Sequence, residues 1–317
     1  MSIKTDIAHA GRLISEGGVV AFPTETVYGL GADAFNPKAV ARVFEIKERP
    51  SFDPLIVHIS NLAQLDELWL QKDERLLQLA EKFWPGPLTI VVEKHPSVPD
   101  IVTSGLPTVG IRMPGHPVAL ALIEAAGTPV AAPSANKFGR ISPTNAEHVR
   151  SQLPEADFIL NGGTTTVGIE STVISLGKNG FTLLRPGAVT IAEIAEVLPR
   201  VFETEKGSEK HSPGHMLSHY SPRKPIYFTT DAPAGTDISL AGLISFGAPL
   251  DASKYKLVEV LSAKKDMKEA AVNLFGAMHR MEAAGVAVML VEPLPEEGIG
   301  IAIMDRLRKA TFQYKPQ

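Results

Sequence analysis

Three short polar segments of the sequence contain the residue types that bind anionic groups, and each lies at the end of a predicted strand or helix. They are residues 23–30 (PTETVYGL), 47–49 (KER) and 134–136 (SAN). Lys and Arg on a stiff loop can bind phosphate oxygens at little entropic cost, and Pro50 and Pro54 stiffen the loop after the second segment. Hydroxyl and amide groups add directional hydrogen bonds. The three segments together predict a site that binds and orients a small anionic substrate.

Each segment also has an ordinary structural explanation. Thr and Glu side chains commonly cap turns, cations are favoured near a helix C-terminus, and Asn136 can form an Asx turn. These explanations do not account for polar residues at the ends of so many predicted strands. Arg112 lies inside an otherwise apolar run, where a charge needs a partner, and Arg185 ends another strand before Pro186. The repeated pattern favours one shared site.

Motifs that are absent from the sequence exclude several kinds of enzyme. No GxxxxGK[ST] loop, HExxH or GxSxG is present, and Gly29 and Gly31 lack the third glycine of a dinucleotide-binding loop. The sequence has no cysteine, which excludes thiolate catalysis, disulfides and cysteine-based metal sites. His58 lies in the apolar run LIVHI, a pattern that by itself is typical of a core histidine.

The elements that must position these residues alternate between strand and helix patterns. This alternation predicts an α/β or α+β layout around one large twisted sheet. Asn36 and Pro37 predict the start of a helix that runs to about Glu48, and Gly127 predicts the end of a helix that begins at Pro117. Further helices are predicted from about 5 to 17, 73 to 83 and 191 to 198, and strands at 19–22, 55–59, 88–92, 109–113, 130–132, 158–160, 172–176 and 181–184.

Residues 203–224 break this pattern and are the best candidate for a linker. They are polar and lack apolar periodicity, so we interpret His211, His215 and His219 as solvated residues rather than metal ligands. Beyond them, strand patterns at 225–228, 242–246, 257–261 and 286–291 and helix patterns at 264–284 and 300–310 predict a smaller βαβ domain. The predicted domains are 1–202 and 225–317.

Charge and hydropathy limit the partners. The chain has 317 residues and a net charge of −4, and residues 1–204 carry 17 Lys and Arg against 22 Asp and Glu. Such a chain is not built to coat nucleic acid or an anionic membrane, so an anion site must be a local cluster on an acidic background. No run of about 18 apolar residues and no signal-peptide core is present. We therefore expect a cytoplasmic protein that spans no membrane and binds no nucleic acid tightly.

A series of short motifs follows a fixed order through residues 15–190. They read PTETVYGLG, KERP followed by DPLIVHI, WPGPLT, VGIRMP, APSAN, SPT, GIESTV and RPG. Together these motifs resemble those of the threonylcarbamoyl-AMP synthase family, the YrdC-like enzymes. The HYSP element at 219–222 and the α/β domain after it are similar to the two-domain form of that family. No single motif is specific, whereas this many in one order is a specific match.

The resemblance implies a fold and a reaction. The fold is a YrdC-like twisted open sheet with a concave, positively charged cavity, followed by a smaller Rossmann-like C-terminal α/β domain. The reaction is that of a nucleotidyltransferase, which converts L-threonine, bicarbonate or CO2 and ATP into threonylcarbamoyl-AMP and pyrophosphate. Mg²⁺ is expected to accompany ATP, with no dedicated metal site. The product serves threonylcarbamoyladenosine modification of tRNA, and a tRNA threonylcarbamoyl transferase could receive it.

The resemblance also assigns residues. L-threonine is expected near Thr26, His58, Arg112, Ala132, Ser171 and Thr172. ATP is expected near Lys47, Arg49, Asp53, Thr108, Ser134, Asn136, Ser142, Arg185 and Tyr220, with Lys47 and Arg49 as the catalytic pair. Asp53 departs from the family, which often has Asn there, and its carboxylate would repel phosphates unless it binds Mg²⁺ or the ribose. Tyr220 and His219 could close over bound nucleotide and exclude water.

Two other functions stay open from the sequence alone. A concave basic cavity could hold RNA, although the charge of residues 1–204 and the lack of interleaved aromatic residues count against this function. The same fold could carry a hydrolase or transferase that acts on carbamoyl-type substrates, because a fold does not determine a function. Salt-dependent RNA binding would indicate the first, and pyrophosphate release that ignores threonine would indicate the second.

Overall fold

A computed structural model describes residues 2–177, 180–198 and 218–314 of the chain. The strands within these residues are β1 (Val20–Phe22), β2 (Gly29–Asp33), β3 (Ile56–His58), β4 (Leu88–Glu93), β5 (Thr108–Arg112), β6 (Val130–Ala131), β7 (Phe158–Ile159), β8 (Thr172–Gly177), β9 (Gly180–Arg185), β10 (Ile226–Phe228), β11 (Ala241–Ser245), β12 (Leu257–Val260) and β13 (Val288–Val291). The α-helices are α1 (Ile3–Ser15), α2 (Pro37–Lys47), α3 (Glu74–Phe83), α4 (Asp100–Thr103), α5 (Pro117–Ala126), α6 (Ala146–Gln152), α7 (Ile191–Ala195), α8 (Met267–Ala283) and α9 (Gly300–Thr311). Short 3-10 helices cover Leu62–Glu67, Ile238–Leu240, Ala252–Lys254 and Phe312–Tyr314.

Strands β1 to β9 form one mixed sheet in the order β7-β1-β2-β6-β3-β5-β4-β8-β9. β3 and β5 are parallel, with His58 opposite Arg112. β4 and β8 are parallel, β4 and β5 are antiparallel, and β9 returns antiparallel to β8 with Arg185 opposite Val173. This register brings the C-terminal ends of β3, β5 and β9 and the start of β8 to one edge of the sheet. The expected large α/β sheet is confirmed.

Local sequence explains the helix ends that flank this edge. The Asn36 side chain accepts hydrogen bonds from the backbone N–H groups of Lys38 and Ala39, at 3.1 and 3.2 Å, and Pro37 occupies the first turn. Helix α2 ends at Glu48, whose φ of 54° turns the chain, and α5 ends at Gly127 with φ of 68°. The ends predicted for these two helices are confirmed.

Strand β2 was not predicted from the sequence. Its sequence GLGAD has few apolar side chains, so the strand pattern is absent from it. Gly31 is required there because a Cβ atom would lie 2.5 Å from Val130 Cγ1 and 2.7 Å from Phe22 Cε1. Residues 29–33 therefore form a strand in which glycine permits the close approach of neighbouring side chains.

The C-terminal domain contains a separate parallel sheet in the order β10-β13-β11-β12. Helix α8 connects β12 to β13, and α9 follows β13. A parallel sheet with crossover helices is the α/β domain that the sequence predicted. In the part of the chain that the structure describes, no helix is long and apolar enough to cross a membrane.

The two domains share a hydrophobic core. Val27, Ile141 and Ile169 of the first domain pack in the same cluster as Tyr220 and the buried faces of α8 and α9. Close backbone contact is possible because Gly168, with φ of 79°, lies against α8, where a Cβ atom would be 2.4 Å from the Cα atom of Val272.

One expectation about the connecting segment is wrong. His219, Tyr220 and Ser221 are only 7%, 1% and 3% exposed, so this part of the chain is packed rather than solvated. The apolar periodicity of the sequence does not reveal this burial, because residues 219–221 lie outside regular helices and strands. His211 and His215 lie outside the described residues, and the domain limits 1–202 and 225–317 stay predictions.

Candidate active site

A cavity lies at the sheet edge where the predicted site residues meet. The residues that line it are Thr24, Thr26, Val27, Gly29, Arg49, Pro54, Ile56, His58, Arg112, Ala132, Pro133, Ser134, Glu170, Ser171, Arg185, His219 and Tyr220. The predicted site residues among them are Thr26, Arg49, His58, Arg112, Ala132, Ser134, Ser171, Arg185 and Tyr220. The structure therefore brings together residues from across the first domain and from the segment before the second.

Arg112, at the end of β5, has the ion-pair partner that its apolar surroundings require. Its Nη2 atom lies 2.7 Å from Oε1 of Glu25, and its Nε donates to the carbonyl of Gly86 at 3.2 Å. Both side chains of the pair are buried. The need for a partner was predicted, but its identity was not.

His58, at the end of β3, lies beside Arg112 on the cavity wall. Burial and the nearby Arg112 charge lower the pKa of His58 from 6.5 to about 3. Its ring meets Phe22 edge-on, with centroids 6.0 Å apart. The imidazole is therefore neutral near pH 7 and adds no further positive charge beside Arg112.

Arg49 is fixed by the loop that follows α2. Its Nε and Nη2 donate to the carbonyls of Asp53 and Pro54, each at 3.0 Å, and Nη2 lies 2.9 Å from Oδ2 of Asp53. The carboxylate of Asp53 is thus an ion-pair partner of Arg49. This pairing offsets the negative charge of Asp53, and the assignment of Asp53 to ATP stays a prediction.

Lys47 has a different position from Arg49. Its Nζ donates to the carbonyl of Ser134 at 2.5 Å and to that of Asn136, and the residue is 1% exposed. Burial and the Arg49 charge lower the pKa of Lys47 well below its usual value. Ala135 is also held, because its N–H donates to the Tyr28 carbonyl at 2.7 Å. Lys47 therefore fixes the cavity loop from behind and does not line the cavity.

Arg185, at the end of β9, differs from the other two cavity arginines. Its Nε and Nη2 donate to the carbonyl of Ser171 at 3.1 and 3.0 Å, and Nη2 also donates to the Ser171 hydroxyl at 3.1 Å. Within the described residues, no carboxylate oxygen lies within 4.0 Å of its guanidinium. Among the lining arginines, Arg185 is thus the one whose charge forms no ion pair with another described residue.

Ser142 and Thr172 are not among the residues that line the cavity. The Ser142 hydroxyl donates to Oε1 of Glu170 at 2.5 Å. The Thr172 hydroxyl donates to the Val189 carbonyl at 2.6 Å. Both are buried, so these two predicted site residues support the cavity wall rather than line it.

Asn136 and Thr108 also lie outside the cavity lining. The Asn136 side-chain amide donates to the carbonyls of Lys137 and Arg140, at 2.8 and 3.0 Å, and so closes the loop on itself. Thr108 lines a smaller neighbouring cleft that shares Pro54 and Ile56 with the cavity described above. The assignment of both residues to ATP stays a prediction.

Tyr220 and His219 cover one side of the cavity. The Tyr220 ring lies 4.1 Å from the His219 ring and 5.4 Å from Phe275 of α8, measured between centroids. Burial raises the pKa of Tyr220, so its hydroxyl is protonated near pH 7. The segment before the C-terminal domain thus forms part of the cavity wall.

Comparison with known proteins identifies the family to which this arrangement belongs. Residues 12–187 match the Sua5/YciO/YrdC family model, described as "Telomere recombination". Residues 189–311 match the model described as "Threonylcarbamoyl-AMP synthase, C-terminal domain". The chain belongs to the threonylcarbamoyl-AMP synthase family. The expected two-domain form is confirmed by the second match.

Relatives that match over nearly the whole chain belong to the same family. A threonylcarbamoyl-AMP synthase of Pyrococcus abyssi is 41% identical over 95% of this chain and 93% of its own length. One of Bacillus subtilis is 39% identical over 96% and 92%. The solved structure of P. abyssi Sua5 complexed with L-threonine has a TM-score of 0.86 and covers 97% of this chain and 94% of its own. Escherichia coli YciO, with 24% identity and a TM-score of 0.52 over 60% of this chain, shares the fold alone.

Several lining residues of this family member were not individually assigned to L-threonine or ATP from the sequence. They are Thr24, Val27, Gly29, Pro54, Ile56, Pro133, Glu170 and His219. Most of them lie inside the ordered motifs described above, so membership of a motif is the feature of the sequence that could have identified them. The pairing of Glu25 with Arg112 had no such signal, because spacing along the chain does not reveal which charges meet.

The described residues of this family member contain no group of three or more His, Asp or Glu side chains that could hold a metal ion. The acidic side chains at or beside the cavity, Glu25, Asp53 and Glu170, are already in ion pairs with arginines. A metal that enters with a nucleotide would therefore depend on phosphate and water oxygens for most of its ligands.

Proposed function

We propose that this protein makes threonylcarbamoyl-AMP and pyrophosphate from L-threonine, bicarbonate or CO2 and ATP. Membership of the threonylcarbamoyl-AMP synthase family supports this function. The observation that carries it is a single cavity with two separate arginines available to anions, Arg112 on one strand end and Arg185 on another. Arg112 suits the carboxylate of L-threonine and Arg185 suits the phosphates of ATP, and the reaction requires both.

The threonine subsite is proposed around Arg112. A guanidinium has five donors, of which Glu25 and the Gly86 carbonyl engage only part, so donors remain for the carboxylate of L-threonine. The neutral imidazole of His58 and the Ser171 hydroxyl can bond to polar groups of the substrate without adding charge. Thr26 and Ala132 complete the proposed subsite.

The ATP subsite is proposed around Arg185 and Arg49, with Ser134 and Tyr220 at its margins. Lys47 would act by holding the Ser134 loop in place, and Asp53 by orienting Arg49. Mg²⁺ is proposed to arrive bound to the phosphates, as part of the nucleotide substrate. Asn136, Ser142, Thr108 and Thr172 are proposed to support this geometry from outside the cavity lining.

The chemistry needs positioning more than acid–base catalysis. The threonine amine attacks CO2, a C–N bond forms, and the ammonium proton is lost to solvent, which leaves an N-carboxylate. An oxygen of that anion attacks the α-phosphorus of ATP, and the bond to the pyrophosphate oxygen breaks. Because the nucleophile is already an anion, the site must align it and neutralise the triphosphate. Buried cations such as Arg185 and Arg49 are suited to that task.

The product is a labile mixed anhydride, so exclusion of water matters. Tyr220 and His219 are proposed to cover the adenylate, because both are buried and line the cavity. The product is proposed to serve threonylcarbamoyladenosine modification of tRNA, with a separate tRNA threonylcarbamoyl transferase as the acceptor. A cytoplasmic location is proposed with that role.

Pyrophosphate release tests the function directly. Release from ATP is measured with L-threonine and bicarbonate together and with each omitted in turn. Release that requires all three substrates supports the synthase. Release that is indifferent to threonine would indicate a different activity on the same fold, such as a carbamoyl-type transferase.

A further inference from the structure

Arg306 of the C-terminal domain reaches the cavity of the first domain. It lies on α9, its side chain is 0% exposed, and its Nε is 3.0 Å from Oε2 of Glu170. The same guanidinium donates through Nη1 to the Pro186 carbonyl at 2.7 Å and to Asp305 at 2.9 Å. Glu170 is a cavity-lining residue, so a residue of the second domain determines the pairing of a side chain in the site.

Glu170 is held on both of its oxygens. Oε2 faces Arg306, and Oε1 accepts the hydrogen bond from Ser142 at 2.5 Å. Tyr220 fixes the other side of the arrangement, since the Arg306 guanidinium lies 5.6 Å from its ring centroid. One oxygen of the Glu170 carboxylate is thus held by the first domain and the other by the C-terminal domain.

Arg185 is the cation that Glu170 would otherwise meet. Arg185 bonds to Ser171, the residue next to Glu170 in the chain, and the two charges act on each other's pKa. Burial raises the pKa of Glu170, but attraction to Arg306 and Arg185 outweighs this effect, so the pKa lies below its usual value and the carboxylate is ionised near pH 7. Because a buried anion without its partner is strongly unfavourable, we expect Glu170 to turn toward Arg185 when Arg306 is absent.

We propose that Arg306 is a positioning residue that holds Glu170 away from Arg185 and so keeps Arg185 available to the phosphates of ATP. The C-terminal domain then contributes to nucleotide affinity without a contact to the nucleotide. This inference rests on the proposed function, because that function identifies the anion at Arg185 as ATP.

The experiment measures the dissociation constant of ATP by calorimetry for the wild type, Arg306→Met, Glu170→Gln and the double variant. In Arg306→Met, Glu170 pairs with Arg185, and we expect ATP to bind at least about tenfold more weakly. In the double variant the amide cannot neutralise Arg185, and we expect affinity within about threefold of the wild type. Arg306→Lys keeps the cation and should fall between Arg306→Met and the wild type.

The matched control is Arg308→Met. Arg308 is on the same helix, and its partner Glu296 is on the surface, with side chains 49% and 48% exposed. ATP affinity of this variant should equal that of the wild type. L-threonine affinity, measured in parallel, should change little in Arg306→Met, because the Arg112 pair is separate from Arg306.

Three results would overturn the proposal. They are wild-type ATP affinity in Arg306→Met, a double variant that binds ATP as weakly as Arg306→Met, and an equal loss of threonine and ATP binding, which would indicate a merely structural function. A wild-type protein that binds no ATP would instead contradict the proposed function. Thermal unfolding of each variant identifies any that do not fold, in which case Arg306→Lys carries the comparison.

Discussion

Arg112, which lines the cavity, forms a buried ion pair with Glu25, with an N–O distance of 2.7 Å and side chains that are 4% and 9% exposed. In the described residues, neither the carboxylate oxygens of Glu25 nor Nη2 of Arg112 makes a hydrogen bond of good geometry. The two charges are therefore close together, but the hydrogen bonding of these atoms is incomplete. Such a pair can accept a second carboxylate at Arg112 without losing an established hydrogen bond.

Substitution of Arg112 should weaken both the binding of L-threonine and the stability of the fold. We expect Arg112→Met to weaken L-threonine binding by roughly 10- to 100-fold, because charged hydrogen bonds are lost. The free energy of unfolding should also fall by about 3–5 kcal/mol, because Glu25 is left buried without its partner. Calorimetric titration and urea unfolding measure the two effects.

A double variant serves as the control. Glu25→Gln combined with Arg112→Met removes both charges, so much of the free energy of unfolding should return while threonine binding stays weak. If Arg112→Met binds threonine as tightly as the wild type, the carboxylate subsite is assigned to the wrong residue.

Substitution of Arg185 should act on the nucleotide. Arg185→Met removes the lining cation that has no ion pair within the described residues, and we expect ATP to bind roughly 10- to 100-fold more weakly with little change for threonine. Arg42→Met, which removes a partly exposed pair with Asp157, is the control. Unchanged ATP affinity in Arg185→Met would contradict the proposed ATP subsite.

Tyr220 should contribute through its ring. Tyr220→Ala removes a buried aromatic side chain from the core shared by the two domains, which costs about 3–5 kcal/mol of stability, and it opens the cavity to water. We therefore expect lower ATP affinity and a lower yield of intact adenylate. Tyr220→Phe keeps the ring and should retain both. If the alanine variant has wild-type affinity and yield while folded, Tyr220 is not a cover.

The sequence predicted most of the elements and most of the cavity, for identifiable reasons. Helix α2 has a capping Asn, a first-turn Pro and a left-handed end, so local rules determine its limits. No local rule predicts strand β2, because its glycines are required by the close approach of Phe22 and Val130 from other strands. Polar residues at strand ends identified the cavity because the register of the sheet places those ends together.

Long-range charge pairing could not be predicted in the same way. Glu25 and Arg112 are far apart in the chain, and Arg306 is 136 residues from Glu170. No pattern along the sequence indicates which of several acids meets which arginine. The different positions of Lys47 and Arg49, the expected catalytic pair, could not be predicted from the sequence either. Only Arg49 lines the cavity, whereas Lys47 bonds to backbone carbonyls behind it.

Acid should destabilise the fold through His58. Burial lowers the pKa of His58 to about 3 in the folded protein, against a value near 6.5 when exposed. Between these values the unfolded chain binds a proton that the folded protein does not, so stability falls as pH decreases through this window. One such group contributes up to about 1.4 kcal/mol per pH unit.

Urea unfolding of the wild type and His58→Gln between about pH 7 and pH 5 isolates this contribution. The free energy of unfolding should depend less steeply on pH in the variant. Because His148 also has a pKa of about 3, some dependence should remain. Equal slopes in the two proteins would show that His58 is protonated in the folded state or exposed.

Isotope incorporation from labelled substrates tests the central claim most directly. The protein is incubated with ¹³C-bicarbonate, L-threonine and Mg²⁺-ATP, and the nucleotide products are analysed by mass spectrometry. The proposed function predicts one product that contains AMP, threonine and a single ¹³C atom, formed in equal amount with pyrophosphate. AMP or ADP without threonine and without label would contradict it.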